Sequence, residues 1–154
     1  MDGTDWVKRN EEGGKQMKKI LNTSMIYFIL AIIAGVFYRE FTKYNGFSGK
    51  TTLGYIHTHL FVLGMILFLI IALFCNQYHS LLQDKMFKRF FVLYNISLPF
   101  MACTMLIRGI IQVQNITVTN ATNSMIAGIA GVSHILITIS LFILFIALKR
   151  KLEN

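Results

Sequence analysis

From residue 60 to residue 75 the chain reads LFVLGMILFLIIALFC, without one polar side chain. This run is the core of a longer apolar stretch, residues 52–75, and three others match it in length: residues 20–38, 90–113 and 125–148. Each is near the ~20 residues that cross ~30 Å of hydrocarbon at 1.5 Å rise per residue. Inside a bilayer every backbone N–H and C=O needs a partner within the protein, so such stretches are helices. Composition agrees. The 154 residues are 55% hydrophobic and 14% charged, where a soluble domain carries about 25% charged residues. A soluble domain of this size could not bury so much apolar surface, and disorder needs the opposite balance. The expected fold is an all-α integral membrane unit of four transmembrane helices, residues 18–151, preceded by a mobile tail, residues 1–17, with Gly3, Gly13, Gly14 and mixed charge.

The net charge of +8 would suggest nucleic acid in a soluble protein. Here the cations sit in the flanks and are better explained by topology. Lys8, Arg9, Lys15, Lys18 and Lys19 precede the first stretch; Lys85, Lys88 and Arg89 lie between the second and third; Lys149, Arg150 and Lys151 close the fourth. The opposite side has only Arg39, Lys43 and Lys50. Both termini are therefore expected in the cytoplasm. The first stretch is expected to be retained, because Phe37-Tyr38-Arg39-Glu40 follows it in place of a small-residue cleavage site. Cys75 and Cys103 fall in apolar runs and read as small buried hydrophobes.

Ionisable residues inside such helices are costly and mark candidate sites. Four are present: His57 and His59 in the second helix, Arg108 in the third and His134 in the fourth. His79 falls at the end of the second helix and reads as an interfacial residue. Counted from the outer ends, His57 and His59 lie roughly 8–10 Å deep and His134 roughly 14 Å deep, so the three occupy one layer. Positions i and i+2 point about 200° apart on a helix, so His57 and His59 cannot both ligate one metal ion from a regular helix. A planar haem suits this pattern better, since its iron takes axial histidines from opposing helices. Arg108, roughly 8 Å from the outer end, and Arg39 lie where anionic propionates would sit. A guanidinium clamps a carboxylate with two hydrogen bonds, and Tyr38 and Tyr55 could assist. Two readings compete: a copper or zinc site at His57, His59 and His134, and histidines that only hydrogen-bond between helices. The small-residue run Ala127-Gly-Ile-Ala-Gly131 is expected to allow close helix packing, and Pro99 to kink the third helix.

The segments Gly35-Val-Phe-Tyr-Arg-Glu-Phe-Thr-Lys43, Gly46-Phe-Ser-Gly-Lys-Thr-Thr52, His57-Thr-His-Leu-Phe-Val-Leu-Gly-Met65 and Gly131-Val-Ser-His134 resemble a family of short bacterial four-helix membrane proteins of unknown function. His57-x-His59 followed by Leu-Phe-Val-Leu-Gly also resembles the His-x-His helix of haem-copper oxidase catalytic subunits, where the two histidines serve two different haems. Such a subunit has three arcs of four helices, and this chain would be one arc. The resemblance implies haem b as cofactor and a homo-oligomer, a homotrimer by analogy, in the bacterial cytoplasmic (inner) membrane. His57 of one protomer and His59 of the next would flank one iron; the other option is His59 with His134 in one chain. The chain has no second His-His pair and no tyrosine partner for a copper site, so it is not expected to be a complete oxygen reductase. The expected function is electron transfer, or binding of nitric oxide or oxygen, at a histidine-ligated haem. The alternative from another class is an accessory or structural membrane subunit.

Overall fold

A computed structural model describes the backbone of residues 3–152 and the side chains of residues 13–151. Four long helices account for nearly all of it, and no strand occurs among the described residues: α1 (Gly3–Tyr44), α2 (Leu53–Gln77), α3 (Lys85–Val113) and α4 (Asn120–Leu152). All four are long and apolar enough to cross a membrane. The chain is a multi-pass membrane protein. Its surface is built for lipid: Leu73, Phe142 and Phe145 are 70%, 65% and 66% exposed.

Each helix outruns its apolar stretch. α1 already begins at Gly3, so most of the segment read as a tail is helical. The ends follow local chemistry. Gly46, at φ 60°, closes α1 with a Phe47 N–H bond to the Thr42 carbonyl at 2.9 Å, the left-handed C-terminal cap that glycine adopts without steric cost. Asn115, at φ 51°, does the same for α3, with Ile116 N–H on the Ile111 carbonyl at 3.1 Å. The Asp84 carboxylate caps the N-terminus of α3, accepting from the Met86 and Phe87 N–H groups at 2.7 and 3.2 Å.

The helices form an open row. α1 packs along α2, α2 along α3 and α3 along α4; α4 packs chiefly on α3 and also meets the short 3-10 turn His79–Gln83. Two glycines permit the tightest approaches. A Cβ on Gly64 of α2 would stand 2.5 Å from the Tyr27 ring, and one on Gly109 of α3 would stand 2.5 Å from Leu53. Phe68 is fully buried among Tyr27, Phe91 and Tyr94 at centroid distances of 5.8, 5.7 and 5.8 Å, joining α1, α2 and α3. Pro99 lies inside α3, which continues through it.

Two features depart from the sequence reading. The Ala127–Gly131 run does not pack within the chain: nothing lies within 4 Å of a Cβ on Gly128 or Gly131. α4 instead buries Ser133, Ile137, Ser140, Leu144 and Ala147, a stripe at helical spacing that lies on α3. Secondly, α2 is not α-helical throughout. Residues Leu60–Ile66 are wound as a π-helix directly after His59. The Ser24 hydroxyl donates to the Met65 carbonyl and the Tyr94 hydroxyl to the Leu63 carbonyl, both at 2.9 Å. Helices on either side thus supply donors to the widened turn.

Candidate functional site

The start of α2 is fastened to α3. Thr52 donates from its hydroxyl to the Met105 carbonyl at 2.8 Å, and its N–H bonds Gln112 Oε1 at 2.8 Å; the Thr51 hydroxyl reaches the Gly109 carbonyl at 3.2 Å. These bonds fix the height and rotation of the helix that carries His57 and His59.

The two histidines diverge as i, i+2 spacing requires. His57 faces α1: a Cβ on Gly35 would lie 3.7 Å from its Cβ and Cγ, and its Nδ1 is buried without a hydrogen-bond partner. His59 lies on the other flank, with Nδ1 2.7 Å from the Tyr55 carbonyl one turn earlier. His134 repeats that arrangement on α4, with Nδ1 2.8 Å from the Ala130 carbonyl. A carbonyl only accepts, so each of these rings carries its proton on Nδ1. In the neutral form of such a ring the lone pair is on Nε2. This is how ligating histidines are held: one nitrogen tied to a carbonyl, the other free for the metal.

Arg108 is half-buried on α3, next to the Gly109 carbonyl that Thr51 binds. Its guanidinium makes no hydrogen bond or ion pair with a described residue. Arg39 differs: it is exposed and paired with its neighbour Glu40 at 2.6 Å. Tyr38 packs against Gly54 at the α1–α2 contact. Tyr55 is 55% exposed and bears on the site through its carbonyl. His79 is exposed at the opposite end, by a cavity of about 950 Å³ that Lys85 and Lys151 also line. No group of three or more His, Cys, Asp or Glu side chains gathers among the described residues. The structure therefore separates the three membrane histidines into His57 against α1, and His59 and His134 on α2 and α4. An apolar cavity of about 400 Å³ lies between α1 and α3, lined by Tyr27, Ile56, Leu60, Pro99 and Cys103, and no histidine borders it.

The class defined so far is a four-helix membrane protein with two carbonyl-anchored histidines on different helices. A family model described as a protein of unknown function (DUF2871) matches residues 17–151, and the chain belongs to that family. No curated protein and no solved structure matches it.

Proposed function

We propose that this chain is a b-type haem protein of the bacterial cytoplasmic membrane, related to one arc of the haem-copper oxidases, with both termini in the cytoplasm. It carries electrons, or binds a small gas, at a histidine-ligated haem. The observation that supports this most is the shared arrangement of His59 and His134, each with Nδ1 committed to a carbonyl and Nε2 without a hydrogen bond to a described residue. Haem iron asks the protein for one or two such ligands, whereas a zinc site takes three or four, and no cluster of that size occurs among the described residues. Arg108, without an ion-pair partner among the described residues, fits a propionate. Bound haem would supply a one-electron iron couple; the chain's part is to hold it, exclude water and set its charge environment. The bare Gly128–Gly131 face of α4 and the arc analogy favour a homo-oligomer, with a trimer the first form to test.

The test is the visible spectrum of protein purified in detergent from haem-replete cells, oxidised and then reduced with dithionite. A Soret band and a sharp α band, with iron near one per chain, are expected. A featureless spectrum with stoichiometric copper or zinc would replace haem by a metal ion. A featureless spectrum without metal would leave an accessory subunit whose histidines serve packing.

A further inference from the structure

We infer that the cavity of about 950 Å³ at the end of the row where α2 hands over to α3 is a phosphate-binding site. It takes the phosphate group of an anionic lipid headgroup or of a soluble phosphate ester, and it stands apart from the membrane histidines, none of which borders it.

The walls come from all four helices. Asn76 stands near the end of α2, Lys85 opens α3 and Lys151 lies in the last turn of α4; His79 and Ser80 come from the 3-10 turn between α2 and α3. That turn is a fixed base. Its Leu81 and Leu82 are buried, at 0% and 2% exposed, so His79 and Ser80 are left on the outer side. Backbone bonds hold it at each step: Tyr78 N–H to the Phe74 carbonyl at 2.8 Å, Leu81 N–H to the Tyr78 carbonyl at 2.9 Å, and Asp84 N–H to the Leu81 carbonyl at 3.0 Å. α1 contributes Gly13 and Gly14, where an added Cβ would meet nothing within 4 Å. Two successive glycines cost a helix about 1 kcal/mol each against alanine, and here they leave its side of the cavity as bare backbone.

The chemistry of the lining selects the ligand. Neither Lys85 nor Lys151 makes a hydrogen bond or ion pair with a described residue, and the Asn76, His79 and Ser80 side chains make no hydrogen bond with one. The one carboxylate on the wall, Asp84, has its Oδ1 taken by the Met86 and Phe87 N–H groups at 2.7 and 3.2 Å, where the N-terminus of α3 offsets its charge. Two ammonium groups against one engaged carboxylate repel a metal cation and attract an anion. An amide, a hydroxyl and an imidazole add donors from other directions. A phosphate group, with three or four acceptor oxygens, meets such a spread of donors, and its bonds to lysine are charge-assisted. The cavity has the size of a site for an organic ligand rather than a bare ion, so the phosphate is an ester. Basic pockets between transmembrane helices at the membrane surface are places where lipid phosphates are held. The flanks at this end also carry Lys18, Lys19, Lys88, Arg89, Lys149 and Arg150, which raise the local concentration of anions.

The experiment uses the full chain in two arms. For the lipid source, the chain is placed in nanodiscs of mixed phosphatidylglycerol and phosphatidylcholine, released into the gas phase, and the lipids it keeps are counted by native mass spectrometry. For the soluble source, glycerol 3-phosphate is titrated into the chain in nanodiscs of phosphatidylcholine alone and followed by calorimetry. The wild type should retain phosphatidylglycerol over phosphatidylcholine, or bind glycerol 3-phosphate saturably, and the arm that responds names the source. In that arm the double variant Lys85→Gln, Lys151→Gln should bind about tenfold more weakly or worse, the worth of one hydrogen bond to a charged group. Gly14→Leu, which keeps both lysines and fills the space in front of α1, should also weaken binding. Lys43→Gln with Lys50→Gln, the same charge change at the opposite end of the row, should leave it at the wild-type value. All these positions are at or near the surface, and matching thermal midpoints in detergent show that the fold is kept. Binding in neither arm overturns the inference. So does a Lys85→Gln, Lys151→Gln chain that binds as the wild type does, or an equal loss in the Lys43→Gln, Lys50→Gln control, which would reduce the effect to net charge.

Discussion

Gly64 of α2 lies against the Tyr27 ring of α1 so closely that a single added carbon would stand 2.5 Å from Cγ and 2.6 Å from Cβ. Those are near-rigid atoms at the root of a buried ring, itself stacked on Phe68, so the helices rather than a flexible tip would have to move. Gly64→Ala should therefore destabilise the folded chain by about 1–3 kcal/mol, the usual cost of overpacking. Gly131→Ala, with open space around it, should stay within about 0.5 kcal/mol. Thermal unfolding in one detergent compares them, and equal losses would contradict the contact.

The π turn is supported from both sides, by Ser24 on the Met65 carbonyl and Tyr94 on the Leu63 carbonyl. Tyr94→Phe and Ser24→Ala should each cost about 1 kcal/mol, the scale of one hydrogen bond to a carbonyl in such a setting. Tyr94→Phe keeps the ring and its packing on Phe68, so it isolates the hydroxyl. Midpoints unchanged in both variants would show that the turn needs neither donor.

Asp84 is the acceptor for two N–H groups at the start of α3. Asp84→Ala should lower stability by about 1 kcal/mol and Asp84→Asn by less, because asparagine also caps well. Amide hydrogen exchange at Met86 and Phe87 provides a local readout: faster exchange in Asp84→Ala only is the expected pattern.

The two cations near the loop end should behave differently. Arg39 already has Glu40, whereas Arg108 has no hydrogen-bond or ion-pair partner among the described residues. On the haem reading, Arg108→Leu removes a positive charge facing the porphyrin. The midpoint potential should fall and haem be lost more readily in detergent. Arg39→Leu should change neither. A potentiometric titration of the two variants side by side decides it.

Orientation is open to direct measurement. In a chain whose Cys75 and Cys103 are replaced by alanine, Lys50→Cys and Lys88→Cys place a thiol at opposite ends of the helix row, both at exposed positions. A membrane-impermeant maleimide added to intact cells should label the first and spare the second. The reverse result would invert the proposed topology.

What the sequence made legible, and what it hid, has a physical basis. Apolar runs as long as residues 60–75 leave one solution in a bilayer, so four helices could be read from composition alone. Their ends could not, because they depend on short polar devices such as Asp84, Gly46 and Asn115 outside the apolar runs. The divergence of His57 and His59 was legible, since it follows from 100° per residue. Their partners were not: which histidine meets Gly35 depends on how two helices dock, and no period in either records that. The small-residue run on α4 suggested a contact that the chain itself does not make, since Ser133 and Ser140 provide a second small-residue face and that one meets α3.

The widened turn at Leu60–Ile66 holds one residue more than an α-helical turn would. It therefore acts as slack in the thread between the histidine segment and the Phe68 cluster. Removing one residue anywhere else in α2 would rotate everything beyond it by about 100° and turn Phe68 out of its nest. Removing one here lets the chain relax to an ordinary helix with both ends still facing their neighbours. Leu60–Ile66 is thus where α2 can change length by one residue without losing its register.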